Sequence, residues 1–264
     1  MLALQRKQHL LDILRRDGRI VAKDIARDLG VSEDTIRRDL RELANEGSLQ
    51  RVHGGALPAS LAVQNLHARQ SISSLEKSAI GRAAAAMIQP GQVVFIDGGT
   101  TAVQLVRNID KHLRATIVTH SPIIAAELID HEVDVQIIGG RLFKHSMVSV
   151  GAAAVDAIRR VRADTYFMGV TGIHGEIGLS TGDAEEAMIK RTIAEASAEV
   201  AVLASSEKLG AASPFIVGPA SLMTTVIVSR NAPPDVMRTL LALGIDVVTA
   251  DLASAERNPV EAVD

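Results

Sequence analysis

A chain of 264 residues that is 47% hydrophobic can bury one large core or two smaller ones, which excludes global disorder. Its formal net charge of −3 excludes a polycation that holds nucleic acid by charge alone, and no run approaches the roughly 18 apolar residues of a membrane span. With no cysteine for disulfides, and an N-terminal apolar run broken by Arg6, Lys7, Gln8 and His9 where a signal peptide would need continuity, the cytoplasm is the expected compartment.

The charge is unevenly spread. Residues 1–58 hold 11 Lys and Arg against 9 Asp and Glu, while the remainder holds 17 against 22. In chain order, residues 4–16 predict a first helix, with Leu10, Leu11, Ile13 and Leu14 on one face and Gly18 as its stop. A second short helix is predicted over 22–29, ended by Gly30. The chain then restarts a helix at "SEDTIRRDL", with Ser32 as N-cap and Glu33 and Asp34 at the positive end of the dipole.

At 100° per residue, Ile36, Leu40 and Leu43 of this third helix share a face. The opposite side carries Asp34, Arg38, Arg41 and Asn45, flanked by Arg37 and Thr35. A guanidinium donates two parallel hydrogen bonds, which suits phosphate oxygens and the guanine edge of the major groove. The short turn Leu29-Gly30-Val31 is what a helix-turn-helix requires, and "GSLQRVHGGAL" predicts a small β-ribbon. Gly54-Gly55 forms its tip or exit, with Arg51 and His53 pointing outward. From these residues alone two readings stand: a DNA-reading helix with a ribbon, or a helical hairpin with a solvated charged face.

Residues 58–75 show no steady period and carry proline and serines, so they read as a linker with space for one turn of helix. A helix is predicted over 76–88. From Gln92 onward, apolar runs of strand length ("QVVFID", "ATIVTH", "VDVQIIGG", "DTYFMGV", "EVAVLAS", "TTVIVS", "IDVVTA") alternate with helical patterns near 101–109, 122–130, 150–160, 184–197 and 234–242. Continuous apolar strands bracketed by helices imply a mostly parallel sheet covered on both faces, with ligands beyond the carboxyl ends of its strands. The domain is expected to run over 76–252, followed by a frayed tail at 253–264.

Several of those strand ends are polar or glycine-rich. "FIDGGTTAVQL" passes from a strand through Asp97, Gly98, Gly99, Thr100 and Thr101 into a helix. Backbone amides, hydroxyls and a helix N-terminus there suit a phosphate, and a plain tight turn is the alternative. Thr119, His120 and Ser121 close the next strand; Gly139 and Gly140 close "VQIIGG"; Ser205, Ser206 and Lys208 follow "VLA". "STGDAEEAMIKRTI" adds Asp183, Glu186 and Lys190, the last two at i, i+4, a spacing that also fits a surface ion pair. Tyr166 and Phe167 fall in an apolar strand and are expected in the core. The histidines are scattered without metal-ligand spacing.

The N-terminal fifty residues, with Ser32, "TIRRDL" at 35–40 and the Arg51-x-x-Gly54-Gly55 ribbon, resemble the winged helix-turn-helix of DeoR-type bacterial transcriptional regulators. "EK" at 76–77, "IDGGTT" at 96–101, "GG" at 139–140, "GDAEEAMIKR" and "SSEKLG" resemble that family's effector domain. The resemblance implies an α/β protein: a winged helix-turn-helix over 1–57, then a Rossmann-like, mostly parallel effector domain. It implies a repressor of sugar or polyol metabolism genes, released from double-stranded operator DNA by a phosphorylated sugar or polyol, working as a dimer or tetramer with no cofactor, metal or catalysis. The DNA contacts implied are Ser32, Thr35, Arg37, Arg38, Arg41, Arg51 and His53. The effector contacts implied are Asp97, Gly99, Thr100, Thr101 and Lys208, then Asp183 and Glu186, with Gly98, Thr119, His120, Gly139 and Gly140 from the strand ends. Three departures point to an altered pocket or an uncommon effector: His120 where asparagine is frequent, "SSEK" in place of Asp-x-Ser-Lys, and "IVSRN" without the frequent Thr-Asp. Two other functions are weighed beside this one: an aldose–ketose phosphate isomerase, and a DNA-binding protein that answers to no effector.

Overall fold

The computed structural model describes residues 2–60 and 66–252; the stretch 253–264, expected to fray, lies outside the described residues. The N-terminal module comprises α1 (Ala3–Asp17), β1 (Ile20–Val21), α2 (Ala22–Leu29), α3 (Glu33–Asn45), β2 (Leu49–Val52) and β3 (Gly55–Pro58). Leu10, Ile13 and Leu14 of α1 meet Ala26 of α2 and Ile36, Leu40 and Leu43 of α3 in one small core. Ser32 caps α3 as expected, its hydroxyl accepting from the Thr35 amide at 3.2 Å.

The ribbon β2–β3 is joined by β1, which the sequence reading omitted because two residues leave no period to detect. The two glycines at its turn do different jobs. Gly54 takes the turn itself, whereas Gly55 is already in β3, where an added Cβ would lie 1.7 Å from the Ile20 carbonyl oxygen. Only glycine lets β3 come that close to β1. A second feature was also missed: Asp39 is buried and forms a bidentate ion pair with the guanidinium of Arg6, which fastens α1 to α3.

The C-terminal part begins with α4 (Leu66–Arg69) and α5 (Ser74–Ala85), two residues ahead of the expected start. It continues through β4 (Val93–Ile96), α6 (Thr100–Arg107), β5 (Thr116–Thr119), α7 (Pro122–Glu127) and β6 (Asp134–Ile137). Next come the hairpin β7 (Arg141–Phe143) and β8 (Val148–Val150), α8 (Ala152–Ile158), β9 (Ala163–Gly169), β10 (Gly172–His174) and β11 (Gly178–Thr181). It closes with α9 (Ala184–Glu195), β12 (Ser197–Ala204), β13 (Phe215–Gly218), β14 (Thr225–Ser229), α10 (Pro234–Ala242) and β15 (Asp246–Ala250).

All seven expected strands enter one parallel sheet, in the order β15-β14-β12-β9-β4-β5-β6. Alternate residues serve opposite faces. Val94, Ile96, Phe167 and Leu203 pack with Ile80 and Leu105 of α5 and α6, while Phe95, Tyr166, Met168 and Val202 pack with Ile189 and Ile193 of α9. Burial on both faces is why each strand reads as a continuous apolar run. From β4 the chain steps outward to β5 and β6, then returns to β9 on β4's other side and steps outward again. The β4/β9 boundary is therefore the topological switch point, where a crevice opens beyond the strand ends.

Two additions stand outside this sheet: the β7–β8 hairpin, and a three-stranded antiparallel sheet of order β10-β11-β13. Both leave the sheet from strand carboxyl ends and so wall the crevice. Among the described residues, no helix is long and apolar enough to cross a membrane.

Candidate functional site

On α3, Arg37, Arg38 and Arg41 are exposed, while Ile36, Leu40 and Leu43 are buried beneath them. Arg37 donates to Glu33 at 2.7 Å, so its charge is partly spent within the helix. Among the described residues Arg38 and Arg41 have no ion-pair partner, which leaves both guanidinium groups free for an external anion. Thr35 is half-buried and its hydroxyl lies 2.9 Å from that of Ser32, so these two residues mainly cap the helix start. Arg51 and His53 are exposed on the ribbon. Arg37, Arg38, Arg41, Arg51 and His53, the expected DNA contacts, are thus exposed on α3 and the ribbon, while Ser32 and Thr35 fasten the first turn of α3.

In the C-terminal domain a cavity of about 150 Å³ opens at the β4/β9 switch point. Gly98, Gly99, Thr100 and Thr101 form one side. Gly98 passes close to the hairpin: an added Cβ would stand 2.3 Å from Val148 Cγ1. The outer excursions bring His145 and Ser146 from the β7–β8 loop, Thr171 from the bend between β9 and β10, and Thr181 from β11. Glu186 and Lys190 reach in from α9, Glu207 and Lys208 from a 3-10 turn after β12, and Arg69 and Lys77 from α4 and α5.

Asp97 organises the floor without facing the cavity. It is 0% exposed. Its Oδ1 accepts from the Gly98 amide and His120 Nε2, each at 2.8 Å. Its Oδ2 accepts from the Gly169 amide at 2.9 Å, the Tyr166 hydroxyl at 3.1 Å and Lys190 Nζ at 2.5 Å. Burial disfavours the carboxylate, but the Lys190 ammonium and the His120 hydrogen bond outweigh it and hold Asp97 ionised well below the usual carboxylate range. His120 is fully buried and its Nδ1 lies 3.0 Å from the Ser149 carbonyl, so the ring bridges β5, β4 and the hairpin.

The expected effector residues therefore divide. Gly98, Gly99, Thr100, Thr101, Glu186 and Lys208 line the cavity. Asp97, Thr119, His120, Asp183, Gly139 and Gly140 do not. Asp97 and His120 are consumed by the floor network, and the Thr119 hydroxyl accepts from the Ser121 amide at 3.1 Å. The Asp183 carboxylate caps α9 through the amides of Glu185 and Glu186. Gly139 and Gly140 are exposed beyond the edge strand β6. Glu186 and Lys190 are both buried rather than a surface ion pair, and Lys190 pairs with Asp97 instead.

Arg69 and Lys77 were not singled out as site residues, and Lys190 was named only beside Asp183 and Glu186. A basic side chain on a helix or in a linker has the same spacing whether it points to solvent or into a crevice. Only "EK" at 76–77 and the i, i+4 relation of Lys190 offered a hint.

The cavity's electrostatics favour an anion. Arg69, Lys77, Lys190 and Lys208 line it against Glu186 and Glu207. Burial pushes the Lys208 ammonium down to about 8, only partly countered by Glu207, and it also lowers Lys77 and Arg69. Groups so desolvated gain most from a negatively charged guest. Arg69 Nε and the Thr101 hydroxyl are buried with no hydrogen-bond partner among the described residues. Native interiors rarely leave such polar groups unmatched.

A winged helix-turn-helix with free guanidinium groups, followed by a parallel α/β domain with an anion-favouring cavity, defines a DNA-binding regulator with a small-molecule sensor. Residues 6–60 match the DeoR-like helix-turn-helix domain and residues 72–230 the DeoR C-terminal sensor domain. The chain belongs to the DeoR family of transcriptional regulators, and as such is not an enzyme. It is 36% identical over 213 residues to the HTH-type transcriptional regulator GlpR of Haloferax volcanii, covering 80% of this chain and 83% of that one. It is 32% identical over 239 residues to the glycerol-3-phosphate regulon repressor of Escherichia coli (89% and 94% of the two chains). Against the HTH-type transcriptional repressor GlcR of Bacillus subtilis it is 34% identical over 210 residues (77% and 80%).

Proposed function

We propose that this protein represses sugar or polyol metabolism genes in the cytoplasm, and that a phosphorylated sugar or polyol in the cavity releases it from operator DNA. Residues 1–57 act as the reader, 76–252 as the sensor and 58–75 as the connection between them. The observation that carries the sensor half is the pair of buried donors, Arg69 Nε and the Thr101 hydroxyl, on a wall shared with Lys77 and Lys208. A phosphate supplies acceptors for all four. The Glu186 carboxylate, which has no hydrogen bond among the described residues, accepts from the hydroxyls of the sugar or polyol. Arg38 and Arg41 supply the hold on the duplex, with Arg37, Arg51 and His53 beside them.

One winged module spans few base pairs, so a dimer or tetramer on paired half-sites is the working form. Effector and operator each weaken the other's binding by the same factor, and a coupling of roughly 1–3 kcal/mol gives about 5- to 150-fold release. A thermal-unfolding panel of phosphorylated sugars and polyols tests the sensor. A true effector at about 100 times its dissociation constant adds roughly 2.7 kcal/mol to the folded state. If no member of the panel shifts the transition, the protein is an effector-independent DNA binder instead.

A further inference from the structure

The described end of the connection between reader and sensor forms part of the cavity wall. Arg69 and Ile72 line the cavity, followed by Lys77 in the first turn of α5. Both ends of this segment are tied. At one end the Leu66 amide donates to the His145 carbonyl at 3.0 Å, and His145 also lines the cavity. At the other the Ser73 hydroxyl donates to Glu207 at 2.9 Å, one residue from Lys208. Between them Lys77 Nζ donates to the Arg69 carbonyl at 2.6 Å.

Backbone strain falls in the same two places. Among the described residues only Ser73 (φ 49°) and Met147 (φ 55°) are non-glycine residues with positive φ. Ser73 ends the connecting segment, and Met147 sits in the hairpin loop that holds Leu66. Such conformations persist only while their surroundings enforce them. The cavity floor is different in kind, because Asp97 already engages five protein donors there.

We infer that Leu66–Ser74 is a strap along the cavity wall whose attachment is set by the anion inside, so that the ligand acts on the DNA-reading module through the connection itself. This rests on the cavity being the effector site. An anion held jointly by Arg69 of the strap and by Lys77, Thr101 and Lys208 of the body ties one to the other directly. Because the floor is saturated without the ligand, the strap and the hairpin loop are the walls that ligand binding can fix.

The test is hydrogen exchange on the full chain with inorganic phosphate and with D-glucose 6-phosphate, run beside thermal unfolding. If opening the strap requires release of the ligand, strap amides that exchange by local opening slow by up to about 100-fold at 100 times the dissociation constant. The Leu66 amide and those of 69–77 and 143–149 should slow, while those of α10, which does not line the cavity, stay unchanged. Ser73→Ala removes the hydroxyl bond to Glu207 and should speed exchange over 69–77 and shrink the slowing that ligand confers. A rise in unfolding temperature with unaltered strap exchange overturns the strap and leaves the sensor reading standing. No rise and no change in exchange with either compound overturns both.

Discussion

Arg38 and Arg41 stand on the outer face of α3 without an ion-pair partner among the described residues, whereas Lys77, Lys190 and Lys208 lie inside the sensor at 3%, 5% and 6% exposure. The arginines are hydrated, so folding asks nothing of them and they are free to exchange water for phosphate oxygens. Each lysine has lost that water and needs a substitute: Asp97 for Lys190, the Arg69 carbonyl for Lys77, and the Leu203 carbonyl at 3.3 Å for Lys208. The contrast teaches where stability and function are separable. Changes at Arg38 and Arg41 should alter binding alone, while changes at the sensor floor should alter the fold first.

The sharpest way to break that contrast is Asp97→Asn. It leaves the Lys190 ammonium buried without a counter-ion, which should lower the unfolding free energy by about 3–5 kcal/mol. Denaturant titration reads this directly, and a loss below roughly 1 kcal/mol would mean that the floor is not held by this pair. Next in size come Arg38→Ala and Arg41→Ala. Each should weaken operator binding by about 1–3 kcal/mol if it reads a base, or reduce the salt slope by about 1 if it holds a phosphate. Either way the unfolding free energy should stay within about 0.5 kcal/mol of the parent, and a larger loss would place these arginines in the fold.

The smallest effect expected is one of pH. Lys208, drawn down to about 8, is charged below that pH and neutral above it. Anion affinity should be full at lower pH and fall as pH rises through 8, by about tenfold between pH 7 and 9 if only the charged form binds. The same displacement acts on stability with the opposite sign. The folded state sheds this proton before the unfolded chain does, so the burden of the buried ammonium is full below about 8 and fades towards the ordinary lysine value of 10.5. Calorimetric titration at pH 7, 8 and 9 measures the first effect, and Lys208→Met should remove the pH step.

The parallel sheet was legible because strands such as Val93–Ile96 and Val226–Val228 are covered on both faces and leave unbroken apolar runs. Arg141–Phe143 and Gly172–His174 were not, since three residues with a charged or small member carry no period and gain their pairing only from the neighbouring strand. The exposed arginine face of α3 could be projected from that helix alone. The inward place of Asp39 was within reach of the same projection: three residues after Ile36 and four before Leu43, it shares their face, though only the structure supplies Arg6 as its partner.

At the site, "DGGTT" located the cavity, but Asp97 was taken for a wall residue because sequence cannot tell a carboxylate aimed at a ligand from one enclosed by donors. Nor can it tell a strand-end histidine aimed at a ligand from one that bridges strands, as His120 does, or a binding carboxylate from a helix cap such as Asp183. Arg69 was passed over because a linker has no periodicity from which to read direction.

The hairpin β7–β8 and the excursion after β9 lie outside the parallel sheet yet contribute His145, Ser146, Thr171 and Thr181 to the cavity. The tips of these excursions, around His145–Ser146 and Thr171, can be exchanged without disturbing the order of the seven strands, provided that Val148 and Ser149 stay against Gly98 and His120. On the proposed function, the phosphate and the group that carries it then meet different parts of the cavity. A biosensor for a different metabolite could be built on this chain by grafting two short loops.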